Sequence, residues 1–370
     1  MTIPTLDVPR HAANADAHWP QAAGACALAM LGGVAVLPPT VAFNAVQAQE
    51  RHPGYRHLLL PQARFARPRG SGRISDEEAR RLTPTGRPVL RIAPAGRSLS
   101  DLAADAALDL RDQLGSEQLA RTSHVLVGSC ALNEAIGDSV VGRMQYELGL
   151  NHVTPLALGQ NGTLGWYSAL TLLDGMLGDD GQALVILTDK WLYPFFRQFG
   201  DLVGYGDAAA AMLVRRATDA PQADAWGGLR SVALEFGASI ADPWAGAPDA
   251  LRDALAPLAA RAIRRALYDA KLRPDQLDWC IAPGFDPAFA ARVADAAAIP
   301  LCCRVQHDMG GHLSSADSAV SLIRLTASLD HAERRLALVW DAALHGAAAA
   351  AVLDVTGGFD AALDIEGDTP

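Results

Sequence analysis

Residues 155–170 read PLALGQNGTLGWYSAL: a short apolar run, a break at Asn161, Gly162 and Thr163, then the start of an apolar helix. A strand, a tight turn and a helix N-terminus free one side chain at the crest and set it beside unpaired backbone N–H groups. That arrangement suits a nucleophile, because the same N–H groups favour a developing negative charge. The residue at the crest is Thr163, flanked by Gly162 and Gly165. The chain therefore poses a question: why should a mount of this kind carry a threonine?

Working outward, apolar runs without polar alternation recur between helical patterns. HVLVGSC (124–130) and ALVILTDK (183–190) read as buried strands, as does a stretch near 27–36. SLSDLAADAALDLRDQLG (98–115) is a marked helix, with Ser98 or Ser100 to cap it, Asp101 in its first turn and Gly115 to stop it. A second helix spans 134–149. The pattern repeats with a helix at 248–272, a strand at 277–285 and a helix at 287–297. The loop HDMGGHLSSADS, a helix at 319–330 and a strand at 335–340 follow. Such strands predict a parallel or mixed sheet covered on both faces, and the recurrence predicts a duplicated architecture. The boundaries expected are an extension over 1–24, a first half over 25–202, a second over 203–357 and a tail over 358–370. Residues 50–97 read as a long Arg- and Pro-rich excursion.

The 370 residues are 50% hydrophobic and 19% charged, the composition of a folded globule. A formal charge of −10 argues against nucleic acid or an anionic membrane as partner. ARFARPRGSGR (63–73) is the one dense basic patch, suited to an acidic carrier protein or a coenzyme A phosphate, or else a solvated loop. Residues 21–39 are apolar, but Gly32–Gly33 and Pro38–Pro39 interrupt them, so a buried strand is expected there and no membrane span. Five cysteines without disulfide-like spacing imply free thiols and a cytoplasmic protein. No metal site is expected, since Cys302 and Cys303 would point to opposite faces of a strand.

Three stretches together resemble the ketoacyl-acyl-carrier-protein synthase III branch of the thiolase superfamily. PLALGQNGTLGWYSAL is similar, without gaps, to that family's PAFDVSAACSGFVYAL. GYGDAAAAMLV (204–214) resembles its LFGDGAGAVVL, and GGHLSSADSAV (310–320) its YGNTSAASVPL. SLSDLAADAAL and LDWCIAP add weaker matches in the same order. The resemblance covers roughly residues 27–355. It implies a thiolase-like αβαβα fold of five layers from two duplicated halves, and a dimer whose face is built around the strand after the nucleophile helix. The implied substrate is an acyl thioester on coenzyme A or a carrier-protein phosphopantetheine, with no separate cofactor.

Carried over by position, the family's Cys-His-Asn triad is absent. Thr163 stands in the cysteine column, Pro283 or Gly284 in the histidine column, and His312 in the asparagine column. The glycine-rich loop of the family reads DAALHGAA, with Ala342 and Ala343 where glycines are usual. Asn161, Pro283, Gly284, Ala343 and Cys130 are the expected substrate-facing positions, Cys130 because it ends a strand where the dimer partner approaches. A thiol with a pKa near 8.5 is partly ionised near neutrality, but a threonine hydroxyl needs an adjacent base to attack a thioester. His312 could be that base, a donor to the thioester carbonyl, or a hydrogen-bonded histidine filling vacated volume; Asp317 could orient it or start a helix. Asp207 in GYGDAAAAML reads as a structural residue ordering the turn before a strand. Two functions stay open: a triad-deficient partner of an active homologue in a heteromeric condensing enzyme of specialised metabolism, or an acyltransferase of altered chemistry using Thr163 and His312.

Overall fold

The computed structural model describes residues 28–42, 89–94, 96–130, 139–159, 161–191, 197–217, 225–237, 248–330, 333–358 and 362–365. The expected extension over 1–24, the basic patch at 63–73 and Cys26 lie outside the described residues.

The first half runs β1 (Leu28–Leu37), α1 (Leu99–Leu114), β2 (His124–Ser129), α2 (Val140–Glu147), β3 (Thr154–Gly159), α3 (Gly165–Met176), β4 (Gln182–Asp189) and β5 (Ala208–Arg216). The second half repeats this order as β6 (Gly227–Phe236), α4 (Pro248–Asp269), β7 (Trp279–Ala282), α5 (Pro287–Ala296), β8 (Arg304–Gln306), α6 (Asp317–Ala327), β9 (Arg334–Ala343) and β10 (Ala347–Thr356). Strand order is β3-β2-β4-β5-β1 in one half and β8-β7-β9-β10-β6 in the other. The pairing sense also repeats: parallel among the first three strands of each order, antiparallel for the last two contacts. Each half is thus one copy of the same winding. Leu28, Ala29 and Met30 of β1 pair antiparallel with Leu229, Gly228 and Gly227 of β6, which joins the two sheets edge to edge.

The layers follow from which faces are apolar. In β4, Ala183, Val185 and Leu187 join the central core, while Leu184 and Ile186 join the outer core under α1. In β10, Ala349, Ala351 and Leu353 face the centre, and Ala348, Ala350 and Val352 the outer core under α4. Side chains alternate along a strand, so each sheet is covered on both faces. Helices α3 and α6 touch strands of both halves and form the middle layer; α1 and α4 lie outside. The architecture is αβαβα, as the sequence predicts.

Local signals hold at the elements they mark. Ser98 caps α1, accepting the Asp101 N–H while the Asp101 carboxylate takes the Ser98 N–H, and Gly115 ends the helix. Three expectations change. β5 pairs with β1 and β4, so by strand pairing the boundary expected after residue 202 falls between Arg216 and Gly227. Residues 362–365 of the expected tail form β11 (Ala362–Ile365), parallel to Val34–Leu37 of β1. The 183–190 run, expected to carry the dimer face, is β4, flanked on both sides by β2 and β5; the edge of this sheet that is free among the described residues is β3.

Candidate functional site

Thr163 lies in the single 3₁₀ turn Gly162–Leu164 that opens α3, buried at 2% exposure. The duplication gives it a counterpart, because the turn Ser314–Ala316 opens α6 in the same way and the two turns touch. The Thr163 hydroxyl donates to the Ala342 carbonyl on β9, 3.3 Å away. Ser315 donates both its hydroxyl and its N–H to Asp189 at the end of β4. Each central helix is therefore braced at its head to the fourth strand of the other half. Asp189 also accepts the Cys130 N–H at 2.7 Å and the Ser129 hydroxyl, so it ties β2, β4 and α6 together.

His312 is fully buried beside the edges of Tyr205 and Phe285. Its Nε2 lies 3.0 Å from Asp341 Oδ1, and its Nδ1 receives the backbone N–H of Ser314 at 3.0 Å. A backbone N–H can only donate, so Nδ1 presents its lone pair and Nε2 carries the proton. Ser314 holds this geometry with a left-handed φ of 53°, a strained conformation for a residue with a side chain. Asp317 accepts the Leu313 N–H at the start of α6, and its carboxylate stands 3.6 Å from Nδ1. It thus starts the helix and faces the imidazole together.

Charge in this cluster is strongly coupled. Burial alone would lower the His312 pKa, but the Asp341 and Asp317 carboxylates outweigh it and raise it to about 9. The Ser314 N–H acts the other way, since a protonated ring has no lone pair to receive it. Burial raises Asp341 to about 6 against the pull of His312. Asp341 Oδ2 and Asp317 Oδ1 are buried without a hydrogen-bond partner among the described residues.

The remaining expected positions are placed as follows. A Cβ at Gly284 would come within 2.7 Å of the Gly311 carbonyl oxygen and 2.8 Å of the His312 nitrogen. The backbone at 311–312 is itself held by the His312 N–H to Gly204 (2.7 Å) and the Gly206 N–H to His312 (2.9 Å). No side chain fits at 284, and Pro283 beside it offers its carbonyl to the Phe285 N–H. Cys130 is half-buried; burial, with the Asp189 and Asp341 carboxylates, pushes its thiol well above the usual range and keeps it protonated. Asn161 is half-buried, its amide donating to the Ser168 hydroxyl. Gly162 has φ 55°, and a Cβ there would lie 2.6 Å from Ala343 Cβ and 3.0 Å from Cε1 and Nδ1 of His345. Asp207 is buried in a two-bond ion pair with Arg197 and accepts the Ala93 and Trp191 N–H groups, a structural role. Cys302 is exposed, Cys303 is buried, and no three metal-ligating side chains gather among the described residues.

Thr163 and His312 thus belong to one region but share no hydrogen bond. The hydroxyl is given to Ala342 and both ring nitrogens are committed elsewhere. Sequence reasoning missed Asp189, Asp341 and His345. A signal for the first two exists: each fourth-strand run, ALVILTD and LALVWD, closes its apolar residues with an aspartate.

These features define a class by fold. ChlB3, described as an acyltransferase, superposes with a TM-score of 0.63 at 19% identity, over 89% of this chain and 98% of that one. The 3-oxoacyl-[acyl-carrier-protein] synthase III of Aquifex aeolicus gives 0.63 at 16% identity, over 88% and 99%. OleA of Xanthomonas campestris, as its E117Q variant, gives 0.61 at 16%, over 90% and 99%. The chain shares the thiolase-like αβαβα fold of these structures. No protein-family model and no curated protein sequence matches it. Among the described residues, no helix is long and apolar enough to cross a membrane.

Proposed function

We propose that this chain handles acyl thioesters as a triad-deficient subunit of a heteromeric condensing enzyme, without forming an acyl-enzyme of its own. The observation that carries the reading is the commitment of the Thr163 hydroxyl and of both His312 ring nitrogens. Thr163 donates to Ala342, and both His312 nitrogens are engaged. The histidine column is closed by backbone at Gly284. Attack by Thr163 would require His312 to exchange a buried partner for the hydroxyl. The structural neighbours, a synthase III, an acyltransferase and the tetronic acid condensing enzyme AbyA1, support acyl-thioester chemistry in specialised metabolism.

The free edge of β3 favours association. Its residues are exposed or half-buried, and it pairs only with β2 among the described strands. Leu172 and Met176 on the neighbouring α3 are 40% and 39% exposed. An apolar edge of this kind favours pairing with a second chain. Co-expression with a triad-bearing synthase III homologue from the same source, followed by light scattering and subunit stoichiometry, tests the reading. A one-to-one heterodimer formed at the expense of the homodimer is expected. Two separate homodimers, with condensing activity unchanged when this chain is omitted, would overturn it.

A further inference from the structure

The hairpin between β9 and β10 carries His345, which the resemblance does not single out. Its ring lies against the Gly162 position, one residue before Thr163, close enough that only glycine is tolerated there. Unlike His312, it is half-buried rather than sealed, and its ring is engaged by no hydrogen bond among the described residues. Burial lowers its pKa from the ordinary value of 6.5, so at neutral pH the ring is uncharged, with one N–H to give and one lone pair to receive. Asn161 and Gly162 beside it are also half-buried, whereas Thr163 and Ala343 are covered. At this turn His345, Asn161 and Gly162 are thus the partly exposed residues, while Thr163, Ala343 and His312 are covered.

Resting on the acyl-thioester reading above, we propose that His345 is the ligand-contacting residue of this site, its ring N–H donating to the carbonyl oxygen of a bound acyl thioester. The chemistry suits the group. A thioester carbonyl is a neutral acceptor, and a neutral imidazole in a half-desolvated position supplies a directed donor without the cost of a buried charge. The nearby helix start reinforces the preference, since its backbone dipoles favour negative charge on the same oxygen. The missing Cβ of Gly162 is what leaves room for the ring beside the turn, and its positive φ favours glycine there independently.

The experiment uses the full chain and octanoyl coenzyme A carrying ¹³C at the carbonyl, with binding followed by calorimetry and the carbonyl stretch by difference infrared spectroscopy. Two variants separate hydrogen bonding from shape: H345F keeps a ring against Gly162 but loses the donor, and H345Q keeps a donor but loses the ring. Wild type is expected to bind with a carbonyl band shifted to lower frequency. H345F should bind about tenfold more weakly with the shift abolished, and H345Q within about threefold with the shift retained. If H345F binds like wild type with the band still shifted, or if H345Q is the more damaged of the two, the proposal is overturned while the acyl-thioester reading stands. If wild type binds no octanoyl, acetyl or malonyl coenzyme A, alone or with its partner chain, both fall together.

Discussion

His312 meets its surroundings through two ring nitrogens, one at Asp341 and one at the Ser314 N–H, inside a shell with Tyr205 and Phe285. Two nearby carboxylates raise its pKa to about 9, from 6.5. A ring that follows those carboxylates would hold, between those values, a second proton that the unfolded chain has released, displacing the Ser314 N–H from Nδ1. Stability from this source is full below the unfolded pKa and is lost as pH rises through the folded one. Asp341, raised to about 6, contributes in the same direction at lower pH. Urea denaturation is therefore expected to show a loss on the order of 2 kcal/mol from pH 6.5 to pH 9, with the slope flattened in His312→Gln. An equal pH dependence in wild type and variant would mean that the Ser314 N–H keeps the ring neutral throughout. At this scale, the position of Thr163 was legible in the sequence, because a strand, a glycine-bearing break and an apolar run describe the turn directly. The partners of His312 were only partly legible. Asp317 stands five residues away, within the same motif, whereas Asp341 arrives from a strand 29 residues on, through a contact that only the folded sheet creates.

The two 3₁₀ turns at the heads of α3 and α6 do related mechanical work with unequal bonds. Ser315 gives its hydroxyl and N–H to a buried carboxylate, while Thr163 gives a long bond to a carbonyl. Removing a donor from a buried carboxylate costs more than removing one from a carbonyl. Ser315→Ala should accordingly lose about 2 kcal/mol of unfolding free energy and Thr163→Val less than about 1 kcal/mol, both read from denaturant midpoints. The reverse order would show that Thr163, not Ser315, bears the load at this junction. Helices with caps and stops, such as 98–115, were readable because their signals are local. The alanine-rich strands carry a weaker signal, the turn at Asp207 marking the start of the first alone. AAAAMLVRR of β5 and AAAAAVLDVT of β10 are runs that local propensity assigns to helix. They are strands because each is the fifth of its half, inserted between two others and packed under helices on both faces, where a small side chain fits.

Across the whole molecule, the duplication was visible in the order of helices and strands, but the seam between the halves was misplaced. The motif GYGDAAAAMLV sits beyond residue 202, yet its strand closes the first sheet by pairing with β1 and β4. Sheet closure is a long-range event that a boundary drawn from composition does not register. The same winding in both halves brings two helix heads together at the centre. On the proposals above, this centre is a brace and a ligand contact, with no acylated residue. Intact-protein mass spectrometry after incubation with acetyl, malonyl and octanoyl coenzyme A measures that directly. The expected result is the unmodified mass for the chain alone, and acylation confined to the partner subunit when both are present. A stoichiometric acyl adduct on this chain, lost in Thr163→Ala, would contradict it.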